Sequence, residues 1–236
     1  MTGAVKRFSI NEHGRDYAVG DIHGHFTLLQ ARLDAAGFDP SVDRLFSVGD
    51  LVDRGPECEL VLDWLAKPWF HPVRGNHDDY VCRFDTCDIG NWAANGGSWF
   101  SPLPYDQKEV YAAEFRKIPI AIEVVTPRGL VGIVHADCPF PSWADLRAEL
   151  CDDIEKGAVG SKRMREVRNY CMWSRNRIER SDTSGVDGVI AVVVGHTPLK
   201  QCAVLGNVYH IDTAGWRPQH GGSFTLLDLA TLWPAL

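Results

Sequence analysis

Arg44-Leu45-Phe46-Ser47-Val48-Gly49-Asp50-Leu51-Val52-Asp53-Arg54-Gly55 sets the pattern for this chain. A short apolar run reads as a buried strand, and it stops at a glycine followed by a carboxylate. The arrangement recurs. Tyr17-Ala18-Val19 runs into Gly20-Asp21-Ile22-His23-Gly24, Pro72-Val73 into Arg74-Gly75-Asn76-His77, and Val131-Gly132-Ile133-Val134 into His135. The run that ends at Val194 meets Gly195-His196. Buried strands of α/β sheets read as continuous apolar runs, and functional groups gather past their carboxyl ends.

Helical patterns lie between several of these strands. Phe26, Leu29, Leu33 and Ala36 recur at spacings of three and four, with Gly37 as a C-cap. Residues 57–66, 105–117 and 162–178 show the same habit. Residues 120–125 and 130–134, separated by Thr126-Pro127-Arg128-Gly129, read as a hairpin. After residue 189 the pattern turns to strands at 189–194, 202–205, 207–211 and 223–228. The expectation is alternating strands and helices first and a β-rich second half, closing as one domain over 1–236.

Of the 236 residues 45% are hydrophobic and 23% charged, the make-up of a globular chain that buries its own core. A net charge of −7 argues against a protein whose main surface grips nucleic acid, which needs a basic face. Bound cations can still reverse the sign locally. The longest apolar stretch, residues 189–194, is six residues, far short of a spanning helix. The first residues open no secretory signal. Seven cysteines without CxxC spacing read as reduced thiols, mostly core. A cytoplasmic protein with no membrane or nucleic-acid partner is expected.

The strand ends collect Asp21, His23, Asp50, Asn76, His135 and His196. Oxygen and imidazole donors in this mixture suit Mn, Fe or Zn better than Ca or Mg. They are too many for one ion with an open position. They suffice for two ions sharing a carboxylate, the clamp used in in-line displacement at phosphorus. Taken singly, Asp53-Arg54-Gly55-Pro56 reads as a turn into a helix, and a lone strand-end histidine as structural. Their recurrence at successive strand ends favours the metal reading.

The blocks Gly20-Asp21-Ile22-His23-Gly24, Gly49-Asp50-Leu51-Val52-Asp53-Arg54-Gly55 and Gly75-Asn76-His77-Asp78 resemble the signatures of the phosphoprotein phosphatase family within the calcineurin-like metallophosphoesterases. His135-Ala136 and Gly195-His196-Thr197-Pro198 match its two later histidine blocks. Residues 91–100 (NWAANGGSWF), residues 135–140 (HADCPF), Trp173-Ser174-Arg175 and Ile211-Asp212-Thr213 are similar to the phage lambda-type bacterial serine/threonine protein phosphatases. The resemblance runs from about residue 17 to residue 228. It implies an α/β (α+β) metallophosphoesterase fold, a β-sandwich of two mixed sheets flanked by helices.

The resemblance also implies roles. Asp21 and His23 would hold one metal, Asn76, His135 and His196 the other, and Asp50 would bridge them. Two divalent ions are implied, Mn²⁺ first, with Fe or Zn as alternatives. His77 would be the general acid, oriented by Asp53, and Arg54 and Arg175 would bind phosphate, with Arg74 in support. For both Arg54 and Arg175 the rival is a structural salt bridge. The implied reaction is hydrolysis of phosphoserine or phosphothreonine in proteins by direct attack of metal-bound hydroxide, with phosphotyrosine as a further candidate. A symmetrical dinucleoside tetraphosphate hydrolase or related nucleotide phosphoesterase is the alternative. A non-catalytic metal-bound scaffold is the third. Asp78 stands where the family usually has glutamate, which leaves its contacts open. His71 and His210 read as turn or surface residues, and Trp92 and Trp99 as packing.

Overall fold

The computed structural model describes residues 4–155 and 161–235. Among the described residues eleven strands, β1 (Val5–Phe8), β2 (Asp16–Val19), β3 (Arg44–Ser47), β4 (Phe70–Pro72), β5 (Ala121–Thr126), β6 (Gly129–Ile133), β7 (Ala191–Val194), β8 (Ala203–Leu205), β9 (Val208–His210), β10 (Leu226–Asp228) and β11 (Trp233–Pro234), form two sheets. One sheet has the order β1-β5-β6-β7-β9-β8 and the other β11-β10-β2-β3-β4. Both are mixed. The strands β2, β3 and β4 run parallel, as do β1 and β5 and also β6, β7 and β9, while β5 and β6 pair antiparallel as a hairpin and β10 runs antiparallel to both β2 and β11.

Strand period explains the layers. In β7 all four residues are buried. Ala191 and Val193 join Ala18, Phe46 and Ile133 in the cluster between the sheets, whereas Val192 and Val194 face Trp143, Leu146 and Cys171 on the other side. The helices are α1 (Phe26–Ala35), α2 (Val61–Leu65), α3 (Asn76–Cys82), α4 (Ile89–Ala94), α5 (Tyr105–Phe115), α6 (Trp143–Glu155), α7 (Lys162–Trp173) and α8 (Asn176–Arg180). Leu146 of α6 and Cys171 of α7 cover one outer face, while Leu29 of α1, Trp64 of α2 and Phe115 of α5 cover Tyr17 and Leu45 on the other. No helix among the described residues is long and apolar enough to cross a membrane.

Several expectations change. Residues 57–66 form a 3₁₀ turn, Cys58–Leu60, and then the short α2. The helix expected over 162–178 is two, because Ser174 is extended at ψ 133°. Residues 91–100 hold the end of α4 and a 3₁₀ turn, Gly97–Phe100. The second half carries α6, α7 and α8 as well as strands. His71 lies in β4, packed between Phe8 and Phe46, and His210 is buried in β9.

Candidate metal centre

The loops after β2, β3 and β4 from one sheet meet those after β6, β7 and β9 from the other. His23, Asp50, Asp53, Arg54 and His196 all have positive φ, between 45° and 71°. Left-handed backbone in such residues costs about 1–3 kcal/mol each and persists where surrounding contacts impose it. Those contacts are visible. His23 N donates to Asp50 O at 2.8 Å, and His196 N donates to Asp21 Oδ1 at 3.0 Å. His77 N donates to Asp50 Oδ1 at 2.9 Å, leaving Oδ2 for other partners.

Asp78 shows what replaces the family glutamate. It is fully buried, and its carboxylate accepts from the backbone N–H groups of Asp50, Leu51 and Gly75 at 2.8–2.9 Å. The shorter side chain thus ties the start of α3 to the Asp50 loop. Glycines permit this closeness. A Cβ on Gly75 would overlap Asp50 Oδ1, and one on Gly195 would overlap Asp21 Oδ1.

Each histidine spends one ring nitrogen on backbone or carboxylate and offers the other inward. His23 Nδ1 pairs with Val52 O at 2.8 Å and His135 Nδ1 with Val48 O at 2.7 Å. His135 Nε2 then lies 3.0 Å from Asn76 Oδ1, 3.2 Å from His196 Nδ1 and 3.4 Å from Asp50 Oδ2. Asp50 Oδ2 also lies 3.6 Å from His23 Nε2, which is 4.0 Å from Asp21 Oδ2. The six expected ligands are therefore together, with Asp50 between the two groups. Fixing the tautomer through the outer nitrogen is the usual preparation of a metal-binding imidazole.

Electrostatics says what the cluster can hold. Asp21, Asp50, Asp53, Asp78 and Asp212 are each at most 2% exposed. Burial, with Asp212 beside it, pushes Asp21 well above the usual carboxylate range. Burial also raises Asp78 to about 7 and Asp212 to about 6. Burial works against ionised Asp50 too, but His135 and His77 outweigh it and hold Asp50 well below the usual range. For His135, burial favours the neutral ring, yet Asp50 raises it to about 9. Burial and then His135 bring His196 down to about 3. Asp212 Oδ2 is buried without a hydrogen-bond partner. So many buried carboxylates facing imidazole lone pairs fit two divalent cations.

Beside this centre, His77 Nδ1 lies 2.7 Å from Asp53 Oδ2. Arg54 sends one nitrogen to His77 Nε2 at 2.9 Å and another to His23 Nε2 at 2.7 Å, with its guanidinium stacked on Trp216 at 4.5 Å. A cavity of about 180 Å³ opens here, lined by Asp50, Asn76, His77 and His196 on the donor side and flanked by Arg54 and Arg175. Its remaining wall is Tyr80, Asn91, Asn95 and Trp173. Arg175 caps α8 and reaches His196 O at 3.3 Å. Arg74 stands apart as a correction. Its guanidinium donates to the carbonyls of Arg116 and Ile118 and approaches Asp79, so it braces the end of α5 and does not face the cavity.

The sequence reading missed three participants. Trp92 and Trp99 both donate indole N–H groups to Asp53, and Asp212 lies within the acidic cluster. The tryptophans carried no signal apart from their place in the NWAANGGSWF block; Asp212 carried one, since it ends a strand as Asp21 and Asp50 do.

Carboxylates and imidazoles at the joined carboxyl ends of two mixed sheets, with two guanidinium groups at the cavity, define a metal-dependent phosphoesterase. The chain belongs to the calcineurin-like phosphoesterase family, whose model matches residues 17–217. It is 31% identical over 215 residues to serine/threonine-protein phosphatase 2 of Escherichia coli (strain K12), spanning 88% of this chain and 91% of that one. It is 48% identical over 206 residues to the symmetrical bis(5'-nucleosyl)-tetraphosphatase of Pseudomonas putida (strain W619), spanning 81% of this chain and 66% of that one. A solved protein serine/threonine phosphatase from Saccharomyces cerevisiae shares the fold, with a TM-score of 0.61 at 16% identity over 96% of this chain and 77% of that one.

Proposed function

We propose that residues 1–236 act as one catalytic domain that hydrolyses phosphoserine and phosphothreonine in proteins or peptides, with phosphotyrosine as a further substrate. The observation that carries this reading is His77, held at Nδ1 by Asp53 while Nε2 faces the same cavity as Arg54 and Arg175. An alkoxide is a poor leaving group, so delivery of a proton to it is worth about 10²–10⁴ in rate.

Asp21 and His23 would hold one cation, Asn76, His135 and His196 the other, and Asp50 both; Mn²⁺ is the expected pair. When bound, the cations neutralise phosphate charge and activate water for in-line attack. Arg54 and Arg175 would fork onto the phosphate oxygens. As Arg54 turns from His77 Nε2 to phosphate, that nitrogen is freed to carry the proton it gives to the serine or threonine oxygen. Asp53 accepts from Nδ1 and keeps the ring turned for the transfer.

The Pseudomonas similarity favours a second reading, a dinucleoside tetraphosphate hydrolase. Two observations weigh for the first. The chain spans 91% of the E. coli protein phosphatase but 66% of the tetraphosphatase. The cavity wall beyond the arginines, Tyr80, Asn91, Asn95 and Trp173, is neutral, which suits a peptide better than a multiply charged diphosphate leaving group. Parallel assays with Mn²⁺ of phosphoserine and phosphothreonine peptides and diadenosine tetraphosphate test it. A kcat/KM higher by about tenfold or more on a peptide is expected, since specificity is a ratio of kcat/KM values. The reverse preference establishes the second reading, and no turnover even of an aryl phosphate leaves a metal-bound scaffold.

A further inference from the structure

Asp53 is fully buried and accepts three hydrogen bonds of 2.7 Å. His77 Nδ1 and Trp92 Nε1 share Oδ2, and Trp99 Nε1 takes Oδ1. The two indoles come from one segment, Trp92 in α4 and Trp99 in the 3₁₀ turn Gly97–Phe100. We propose that Trp92 and Trp99 are positioning residues for the proton-transfer step, fixing Asp53 and through it the ring of His77.

The fit of the segment supports a dedicated clamp. Gly96 has φ 105°, and its carbonyl accepts Arg54 N at 3.2 Å. A Cβ on Gly96 would come within 2.6 Å of Arg54 N, and one on Gly97 would overlap the Trp92 indole. Only glycine allows both turns. The segment therefore lies directly on the Asp53-Arg54 step, where both residues have positive φ. Trp92 also stacks on Tyr80 at 5.7 Å and 11°, linking the clamp to the cavity wall.

The chemistry distinguishes the three donors. An indole N–H has no acid–base role near neutral pH and serves only to hold an acceptor. Two such donors set both oxygens of the carboxylate, so its plane is fixed before His77 binds to it. The His77 ring can then turn little about its Nδ1 contact. Loss of one indole would leave a buried carboxylate oxygen underbonded and free to rotate. Proton delivery would suffer, while phosphate binding by Arg54 and Arg175 would not.

This rests on the reading of His77 as the acid, so the test separates the two. Wild type, His77→Asn, Trp92→Phe and Trp99→Phe are loaded with Mn²⁺ and assayed on a phosphoserine peptide and on p-nitrophenyl phosphate, whose leaving group needs little protonation. Each Trp variant should lose roughly tenfold in kcat on the peptide with KM near wild type, and about twofold or less on the aryl ester. Trp99→His, which keeps a ring N–H donor, should recover part of the loss. Equal losses on both substrates by the Trp variants, with a leaving-group-dependent loss in His77→Asn, overturn the positioning role alone. Equal losses in His77→Asn overturn the acid reading itself. Should the Phe variants fail to fold, proton NMR of the native chain decides. The indole N–H signals of Trp92 and Trp99 should lie downfield and move upfield in Asp53→Asn, and signals that stay put overturn the proposal.

Discussion

Asp50 stands between the two donor groups because everything around it is committed. Its Oδ1 takes the His77 N–H, its own N–H goes to Asp78, and its Oδ2 faces His23 and His135. Asp50→Asn should remove an anionic ligand from both cations, abolishing turnover while circular dichroism stays native. A folded variant that retains two metals by elemental analysis and near-normal rates would refute the bridging role. Gly75→Ala should also abolish turnover, for a different reason: its φ of −89° suits alanine, but the added Cβ would overlap both Oδ1 and the backbone nitrogen of Asp50 and displace that residue. Arg175→Ala should lower kcat/KM by roughly ten- to a hundredfold, the worth of a hydrogen bond to a charged group, and weaken inhibition by inorganic phosphate. Unchanged phosphate inhibition returns Arg175 to a structural cation that donates to the His196 carbonyl. At this scale residue types at strand ends were legible. Arg74 was not, because a guanidinium next to a ligand block looks the same whether it faces phosphate or the carbonyls of Arg116 and Ile118.

Elements were legible where one rule governed them. The strands β3 and β7 are buried on both faces and read as apolar runs. In β1 the central Lys6 and Arg7 are exposed at the sheet edge, so Val5-Lys6-Arg7-Phe8 lacks both the run and the alternation. Helix α3 hid for the opposite reason. All seven of its residues are buried, so no polar face marks a helical period. Helix α7 was read through to residue 178 because its spacing continues, yet extended Ser174 breaks it and delivers Arg175 to the cavity. The edge strand β4 supplies a pH-dependent element. Burial of His71, and then Lys6 and Arg44 nearby, bring its ring down to about 4. Its folded form is neutral, whereas the unfolded chain takes a proton below pH 6.5. Stability present above pH 6.5 is thus lost as pH falls towards 4. The gap is worth about 3 kcal/mol, and roughly 2 kcal/mol after screening at a partly exposed ring. His71→Phe should keep the packing on Phe8 and Phe46 and remove this dependence. In urea unfolding, the wild-type stability relative to the variant should fall by about 2 kcal/mol between pH 7 and pH 4.5. An unchanged difference at the two pH values would show that His71 is not the titrating group.

Across the whole molecule, the site is where two sheets with separate helical covers are joined. Asp21, His23, Asp50 and Asn76 follow β2, β3 and β4 of one sheet, and His135, His196 and Asp212 follow β6, β7 and β9 of the other. Folding brings five buried carboxylates to this seam, facing Arg54 as the guanidinium bonded to the donor histidines. The hydrophobic layer between the sheets, with Phe46, Ile133 and Val193, must hold that concentration of charge in place. Cations at the seam would relieve it and tie the sheets together, so metal should act as a stabilising ligand as well as a reactant. A ligand present at 100–1,000 times its Kd adds about 2.7–4.1 kcal/mol to stability. For a chain of this length each kcal/mol moves Tm by about 2–4 °C. Chelation of Mn²⁺-loaded protein should therefore lower Tm by roughly 5–16 °C, and added Mn²⁺ should restore it. In Asp50→Asn the response should largely vanish, because both donor groups lose their shared carboxylate. In His71→Phe it should persist in full, since the His71 ring packs on Phe8 and Phe46 and belongs to neither donor group. A Tm that chelator leaves unchanged would mean that the acidic seam folds without cations and that its carboxylates share protons instead.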